Sequence, residues 1–452
     1  MTNIIYYLLS ITLISANIDM KIYNQGWALI QEERIENFAT IQKQNMTINN
    51  LPLGVQPQSI NLFSDQIEFL SKEFIFNPIS LKTLLDANIN NQIELVKYDD
   101  NGAISQSIMA KLISNNNIPI FEIYNKISIN PPFNYLFDNI PENITTHPFL
   151  NCVIQNTKKQ TNYILSYFTD GISWTAEYNI FINNNNSSSI EGWYLIKNSN
   201  NLNYNNINIS LISGPVNFEI NKQTTNSFNA PKNARSSENH IRLPNIKKET
   251  QNYYTFKLNE KNNLNSNSEI RYKFFDKKNI PYKYTYTIYH SLKNRHFKKH
   301  TDVNKIPAEI SLEVLASNIG NFQIPEGLYS IYKKDKALTY VGASIYGISS
   351  KNDTISLPIG QSEEILSSFT ITGHEINKDK MQINLNAIFE NQKDEYISLK
   401  WIEQISNSTW DIIYSNYKYI KKDAYHIEFN INIPPNSIEE VNLQVTIDQK
   451  RY

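Results

Sequence analysis

Cysteine and glycine are both scarce in this chain of 452 residues. The single cysteine, Cys152, excludes an intramolecular disulfide framework and any zinc or iron–sulfur site built from several cysteine ligands. The twelve glycines fall well below the average share of about 7%, and no glycine-rich phosphate-binding loop is present. Asparagine is abundant instead, and it stands at several turns where glycine is usual.

The chain has no large excess of charge of either sign. It contains 42 Lys and Arg residues and 43 Asp and Glu residues, which gives a formal net charge of −1. A protein that binds a polyanion needs a summed basic field. The composition therefore argues against nucleic acid as a partner. At about 100–200 residues per domain, the length predicts about three domains.

The first residues contain a short apolar run, Ile4–Ser15, followed by the polar segment Asn17-Ile18-Asp19. The run is shorter than the roughly 20 residues that cross a bilayer. It resembles the hydrophobic region of a secretory signal peptide, so we expect cleavage of residues 1–16 and a periplasmic or secreted protein. The alternative is a first β-strand that begins early. No later apolar run is long enough to predict a transmembrane segment in the mature chain.

Strict alternation of apolar and polar residues dominates the rest of the chain. Runs of this kind that are rich in Ile, Tyr, Phe and Thr are typical of half-buried strands. The sequence therefore predicts an all-β protein made of antiparallel β-sandwich or small-barrel modules. The clearest runs are Met20–Ile30, Ile93–Tyr98, Tyr163–Phe168, Ile207–Ile212, Tyr282–Tyr289, Met381–Phe389 and Ile427–Ile433.

Two local patterns predict other elements. Ser80–Asn88 is the one segment with helical character, and Ser80 is placed as its N-cap directly after the Pro78-Ile79 pair. The segment Asp99-Asp100-Asn101-Gly102 predicts a hairpin, with Asn-Gly suited to a type I′ turn.

Turn residues divide the chain into four predicted regions. Residues 18–79 read as an N-terminal β-sandwich, and residues 80–142 as a small β module that carries the helix. Residues 143–300 form a central sheet domain interrupted at 221–250, a polar and aperiodic stretch expected to be a disordered loop. Residues 301–452 have the strand spacing of an immunoglobulin-like sandwich.

The segment Tyr163–Tyr178 (YILSYFTDGISWTAEY) contains the pattern Y-x-T-x-G-x-x-W-x-A-x-Y. Together with several further motifs in order along the chain, it resembles a bacterial family of unknown function that includes the mucoidy inhibitor A proteins. Asn201 stands where the family has a glycine, and the long coiled-coil insertion of some relatives has no counterpart here. The other matching segments are Tyr23–Leu29, His147–Leu150, Glu191–Trp193, Asn198-Ser199, Tyr204, Leu211–Asn217, Ile324–Tyr332 and Tyr340–Gly342.

This resemblance implies a compact, multi-domain β protein that is usually exported and has no established enzymatic activity. It supplies no catalytic residues that can be carried over. Neither the resemblance nor the residues predict a cofactor.

The tryptophans are the best candidates for a ligand platform. On one face of a strand, Trp174 would lie with Ile172, Ala176 and Tyr178, which favours a core anchor over an aromatic groove shared with Phe168. The same core interpretation is preferred for Trp193. Two others, Trp401 and Trp410, flank the polar turn Asn407-Ser408-Thr409 and are better candidates for exposed binding residues.

The ionisable residues predict no catalytic or metal site. His296 and His300 have helical ligand spacing, with His290 upstream, but the basic segment around them repels a cation. A solvated basic loop is the preferred interpretation. Adjacent carboxylates, Asp99-Asp100 and Glu363-Glu364, point to opposite faces on a strand, so turn and surface roles are expected.

These observations favour an exported, non-enzymatic protein of the cell envelope that binds or scaffolds an envelope protein or polysaccharide. The alternative is an envelope polysaccharide or peptidoglycan hydrolase with carboxylates carried on loops. A third interpretation is adhesion to other proteins through exposed sheet edges.

Overall fold

A computed structural model describes most of the chain and confirms the all-β prediction. The described residues are 17–141, 144–183, 187–214, 253–292, 300–301, 305–377, 380–405 and 409–448. The predicted signal peptide, residues 1–16, and the predicted loop 221–250 lie outside them. Within these ranges, no helix has the length and apolar character needed to cross a membrane.

By contacts between residues the chain divides into two units. Unit 1 comprises Met1–Trp174 with Ile196–Ile270, and unit 2 comprises Thr175–Leu195 with Arg271–Tyr452. The four predicted regions and these two units have different boundaries. The regions are divided at turns along the chain, whereas the units result from pairing between strands that are distant in the chain.

Unit 1 is built on a seven-stranded sheet with the order β16-β15-β1-β2-β12-β4, in which β17 also pairs with β15. Parallel pairing of β1 with β15 joins the start of the described chain to a strand nearly 190 residues later. The strands are β1 Ile18–Tyr23, β2 Trp27–Asn37, β4 Asn61–Phe63, β12 Gln160–Asp170, β15 Tyr204–Ser213, β16 Tyr254–Lys257 and β17 Asn262–Leu264.

Two smaller sheets complete unit 1. A three-stranded sheet has the order β3-β11-β5, and a five-stranded sheet has the order β10-β6-β7-β8-β9. Leu85 of helix α1 packs into the core of the five-stranded sheet. The elements are β3 Lys43–Ile48, a 3-10 turn at Pro57–Ser59, β5 Ile67–Ile75, α1 Leu81–Ala87, β6 Gln92–Tyr98, β7 Ile104–Ser114, β8 Ile120–Ile123, β9 Lys126–Ile129, β10 Asn134–Leu136 and β11 Phe149–Asn156.

Helix α1 begins where the sequence predicts it. The Ser80 hydroxyl accepts a hydrogen bond from the Thr83 backbone amide, and the Thr83 hydroxyl accepts one from the Ser80 amide. This reciprocal pair satisfies two amides that the first helical turn leaves unpaired. The predicted N-cap is therefore confirmed, whereas the one-turn helix α2 (Ala316–Ile319) has no equivalent signal in the sequence.

The hairpin at Asp99–Gly102 is confirmed, but the type I′ prediction is wrong. A type I′ turn needs positive φ at both central residues, and only Gly102 has it here, at 81°. The Gly102 amide donates to the Asp99 carbonyl, so a type I turn is followed by a left-handed glycine. The Asp99 carboxylate accepts hydrogen bonds from the amides of Asn101 and Ala103. These bonds favour the three-residue loop over the two-residue type I′ turn.

Unit 2 contains a five-stranded sheet with the order β18-β14-β13-β22-β23 and a ten-stranded sheet with the order β27-β30-β25-β24-β21-β19-β26-β29-β28, in which β20 pairs with β24. The first sheet is formed by β13 Ile172–Ile182, β14 Ser187–Asn198, β18 Ser268–Pro281, β22 Gly327–Lys334 and β23 Leu338–Tyr346. The second is formed by β19 Lys283–Leu292, β20 His300–Thr301, β21 Ile306–Leu315, β24 Thr354–Asn377, β25 Lys380–Asn391, β26 Ile397–Ile405, β27 Trp410–Ser415, β28 Tyr419–Lys421, β29 His426–Ile433 and β30 Ser437–Asp448.

The ten-stranded sheet folds back on itself as a β-sandwich. β24 and β26 are three positions apart in the strand order, which in a flat sheet would separate them by about 14 Å. Yet the ring of Phe369 on β24 lies 5.7 Å from the ring of Trp401 on β26. Phe389 and Phe429 contact the same indole, so an aromatic cluster fills the space between the layers.

Asparagine takes the place of glycine at the turns, as the composition predicts. Among the described residues, nine asparagines have positive φ: Asn50, Asn90, Asn117, Asn125, Asn130, Asn206, Asn267, Asn279 and Asn436. Asparagine visits this left-handed region more readily than other non-glycine residues. Scarce glycine therefore does not prevent tight connections between strands.

The predicted burial of Trp174 is confirmed. Its side chain is 2% exposed, and the alternate positions Ile172, Ala176 and Tyr178 are buried as well. Within unit 1 the indole nitrogen donates to the Ile212 carbonyl at 3.1 Å, and the ring meets Phe256 edge-on. The indole ring is therefore packed in the core, and its N–H group is hydrogen-bonded.

Replacing Trp174 with alanine should reduce the free energy of unfolding by about 3–5 kcal/mol, because a large buried ring is lost and a cavity remains. Trp193→Ala is the matched control, since its side chain is only partly buried, and it should cost much less. Thermal and urea unfolding of both variants measures the difference. Equal losses in the two variants would contradict the anchor role.

Candidate ligand-binding face

The two tryptophans expected to be exposed are buried, so that prediction is wrong. Trp401 is 0% exposed and stacks on Phe429 at 4.5 Å. Trp410 is 6% exposed, and its indole nitrogen donates to the Ala424 carbonyl. Both occupy inward positions of their strands, and a polar turn between two strands does not move the flanking inward residues to the surface.

Trp193 differs from its prediction in the opposite direction. It occupies an outward position of β14 and is partly exposed. The Lys273 ammonium lies over its ring, 4.8 Å from the centroid, and its indole nitrogen donates to Glu191 at 3.3 Å. The core interpretation of Trp193 is therefore wrong, because alternation places its neighbour Tyr194 inside instead.

The adjacent carboxylates take the turn and surface roles that the sequence predicts. Asp99 organises its turn, and Glu363 and Glu364 are exposed. Among the described residues, no three of His, Cys, Asp and Glu lie together as a metal site. His296 lies outside the described residues, and His290 is described below.

The unit 2 five-stranded sheet has one face toward its core and one toward solvent. We call the solvent side the outer face. It is defined by Glu177, Asn179 and Phe181 of β13, Leu328, Ser330 and Tyr332 of β22, Tyr340, Ala343 and Ile345 of β23, Glu191 and Trp193 of β14, and Arg271 and Lys273 of β18.

Strand register arranges three of these strands into rows. β13 and β22 run parallel, with Phe181 beside Tyr332, Asn179 beside Ser330 and Glu177 beside Leu328. β23 continues each row with Tyr340, Ala343 and Ile345 respectively. The outer face therefore carries an aromatic row and a row of small side chains, each running across the strands. A third row, which we call the apolar row, begins with Glu177 on β13 and continues with Leu328 and Ile345.

The aromatic row is packed in sequence. The Phe181 and Tyr332 rings stack with centroids 5.6 Å apart, and Tyr340 meets Tyr332 edge-on at 5.6 Å. Because Phe181 and Tyr332 cover each other, Tyr340 offers the most open ring, with 59% of the residue exposed. The aromatic row therefore consists of three rings in contact, and the ring of Tyr340 at its end is the most accessible.

A strip of shorter side chains lies between the rings and the apolar row, and we call this strip the groove. Its floor is Asn179, Ser330 and Ala343, whose side chains are short, whereas the rows on either side carry long ones. On β13 and β22, residues of neighbouring rows are two positions apart, which is about 6.6 Å along a strand. On β23 a register shift puts three positions between Tyr340 and Ala343. The far wall is exposed, with Leu328 at 42% and Ile345 at 71%.

Charged residues of β18 border the face, and each contacts a carboxylate. Arg271 pairs with Glu177 at 3.1 Å. Lys273 pairs with Glu191 at 2.9 Å and with Asp276 at 3.5 Å. The hydrogen bond with Glu191 is the main reason why the pKa of Lys273 is raised above its ordinary value, so this ammonium stays charged over the Trp193 ring.

The inner side of the same strands holds the rows in place. Tyr178 and Tyr329 stack at 4.1 Å, directly behind the groove, and the Tyr178 hydroxyl donates to the Pro325 carbonyl at 2.7 Å. Burial raises the pKa of the Tyr178 hydroxyl far above its usual range, so it remains a donor. Gly327 approaches Ala176 so closely that a Cβ would lie 2.3 Å from its carbonyl oxygen.

Unit 1 contains a buried ionic network that the sequence analysis missed. Arg34 donates to Glu32 at 2.7 and 2.9 Å and to the Asn49 carbonyl. The Tyr167 hydroxyl donates to the other Glu32 oxygen at 2.6 Å. Glu32, Arg34 and Glu36 occupy consecutive inward positions of β2, and Tyr167 occupies an inward position of β12. The alternation otherwise places apolar side chains at such positions.

Unit 2 contains a second buried carboxylate, Glu403, which is 0% exposed. It accepts hydrogen bonds from the Leu292 amide, the Trp401 indole and His290, whose Nδ1 lies 2.7 Å from Glu403 Oε2. Burial is the largest influence and raises the pKa of Glu403, while the three donors oppose it. The His290 ring stacks on Phe369 at 3.9 Å, so the group is part of the sandwich core.

Comparison with protein-family models gives no match for this chain. No curated protein matches it either.

The parallel pairing of β13 with β22 should depend on the missing side chain of Gly327. Gly327→Ala places a methyl group against the Ala176 carbonyl and the Tyr178 ring, so we expect a loss of about 1–3 kcal/mol in the free energy of unfolding. Gly347→Ala is the control, because no atom lies within 4 Å of its added Cβ. Urea unfolding of the two variants checks the expectation, which a neutral Gly327→Ala variant would refute.

The pKa of the Glu36 carboxyl is raised above its ordinary value of 4.5, mainly by burial. The folded protein therefore binds this proton more tightly than the unfolded chain, so the stability that the group contributes is present at low pH and lost as pH rises through the raised pKa. Glu36→Gln cannot ionise, and its stability relative to the wild type should increase as pH rises above about 4.5.

Urea unfolding at a series of pH values measures this difference. Glu68→Gln, an exposed carboxylate on β5, is the control and should show a smaller change with pH. A pH-independent difference for Glu36→Gln would show that Glu36 is not kept from ionising by burial.

Proposed function

We propose that this protein is an exported, non-enzymatic binding or scaffolding protein of the cell envelope, and that it binds its ligand on the outer face of the unit 2 five-stranded sheet. The observation that supports the proposal is the groove between the aromatic row and the apolar row. Large side chains grouped on a solvent-facing sheet mark interaction sites more often than single exposed residues do.

The rigidity of the groove supports binding. Its walls are on neighbouring strands, whose register is backed by the Tyr178–Tyr329 stack. Lys273 holds Trp193 by its position over the ring, and Arg271 is fixed by Glu177. A surface whose side chains are already ordered loses little conformational entropy when a ligand binds.

Export and family membership belong to the same proposal. The run Ile4–Ser15 supports a cleaved signal, and intact-mass measurement of protein from its source organism should show loss of roughly the first 16 residues.

The motifs similar to mucoidy inhibitor A proteins support the family assignment. Two of them now have a structural explanation, because Trp174 anchors unit 1 and Ile324–Tyr332 carries both Gly327 and a residue from each wall of the groove.

Binding to the envelope should depend on the aromatic row. In co-sedimentation with the envelope fraction of the source organism, Tyr340→Ala and the pair Tyr332→Ala/Tyr340→Ala should reduce the bound fraction, the pair by about tenfold or more. Tyr396→Ala is the matched control, because this tyrosine is 75% exposed and lies outside the outer face.

Each variant is first compared with the wild type by circular dichroism and thermal unfolding. Equal retention of the Tyr332→Ala/Tyr340→Ala protein and the Tyr396→Ala protein would refute the outer face as the binding site. Failure of the wild type to co-sediment would refute envelope binding itself.

A further inference from the structure

We propose that the ligand of the outer face is an uncharged polysaccharide strand that lies in the groove and crosses β13, β22 and β23. This inference rests on the proposed function and adds the chemical class of the ligand. It depends on three features of the face: the pairing of its charges, the direction of its groove and the distribution of its polar groups.

The charges on the face argue against an ionic ligand. Its two cations from β18, Arg271 and Lys273, are engaged by three carboxylates, Glu177, Glu191 and Asp276. The exposed Lys334, at an outward position of β22, offsets the third carboxylate, so the face has no net charge that would attract an anionic polymer. A cationic ligand would have to displace Arg271 or Lys273 from its partner, so neither sign of charge is favoured.

The groove runs across the strands, perpendicular to the direction in which a peptide would add to a sheet. β-strand addition uses the backbone groups of an edge strand and places the new strand parallel to it. Here the contact surface is made of side chains from three adjacent strands. An extended polymer that lies across them meets side chains only, and that arrangement suits a ligand recognised by its rings and hydroxyls.

The polar and apolar groups of the groove match the two kinds of surface on a pyranose. The floor presents the Asn179 amide and the Ser330 hydroxyl, which can both donate and accept hydrogen bonds. The aromatic wall presents Tyr332 and Tyr340, each with an apolar ring and a polar hydroxyl. Sugar rings carry C–H groups that contact aromatic rings and hydroxyls at their edges, so one chain of sugars can satisfy both.

The test uses wild-type protein and three preparations of the envelope fraction from the source organism: untreated, digested with protease, and mildly oxidised with periodate, which cleaves vicinal diols in sugars. We expect co-sedimentation to survive protease digestion and about 0.5 M salt, where surface ion pairs are largely screened, and to fall at least tenfold after periodate.

Two further variants connect the result to the groove. Ser330→Leu fills the floor and should abolish binding, whereas Tyr340→Phe retains the ring and should weaken binding less than Tyr340→Ala does. Ser398→Leu, an exposed serine on β26, is the control for the added bulk.

Binding that is lost after protease digestion would identify a protein ligand, and binding that is lost in salt would identify a charged one. Either result overturns this inference but leaves the proposed envelope binding intact. Periodate-sensitive binding that Ser330→Leu leaves unchanged would overturn the placement of the sugar in the groove.

Discussion

The candidate binding face depends on one interaction, the parallel pairing of β13 with β22. These strands are about 150 residues apart in the chain. Their register places Phe181 beside Tyr332 on one side and Tyr178 against Tyr329 on the other, so the exposed row and the buried stack are two consequences of the same alignment. A shift by one residue would exchange the two faces and expose the stack.

Strand alternation and helix capping could be predicted from the sequence, because each depends on residues that are close together in the chain. The alternation that places Trp174 inside and the Ser80 cap of α1 both depend on residues within a few positions of each other. The groove could not be predicted, because its walls come from distant strands and their parallel register is not encoded in either strand alone. Trp401 and Trp410 show the same limit, because a polar turn separates them in the chain. In the fold, Trp401 stacks on an aromatic ring and Trp410 donates to a backbone carbonyl.

Buried charge is the other feature that pattern reading missed. Glu32 and Arg34 stand where alternation predicts apolar residues, and Glu403 follows Trp401 on the inward face of β26. Opposite charges two positions apart on a strand share a face and can neutralise each other, which is a signal that could have been read for Glu32 and Arg34. Burying such a pair costs desolvation energy, and the attraction between the two charges offsets this cost only when their geometry is good. Tyr167 and the Asn49 carbonyl supply the remaining hydrogen bonds of that network.

The nine left-handed asparagines affect the unfolded chain as well as the folded one. Glycine at such a position relaxes the turn but gives the unfolded chain more conformations to lose, whereas asparagine accepts a steric cost in the native state and narrows the denatured ensemble. Asn206 and Asn279 lie within β15 and β18, and the other seven lie outside strands. At those seven positions, part of the entropy loss of folding is therefore exchanged for backbone strain. Strain is an energetic term and changes less with temperature than the conformational entropy term, so turns made of asparagine should lose less of their contribution on warming than turns made of glycine.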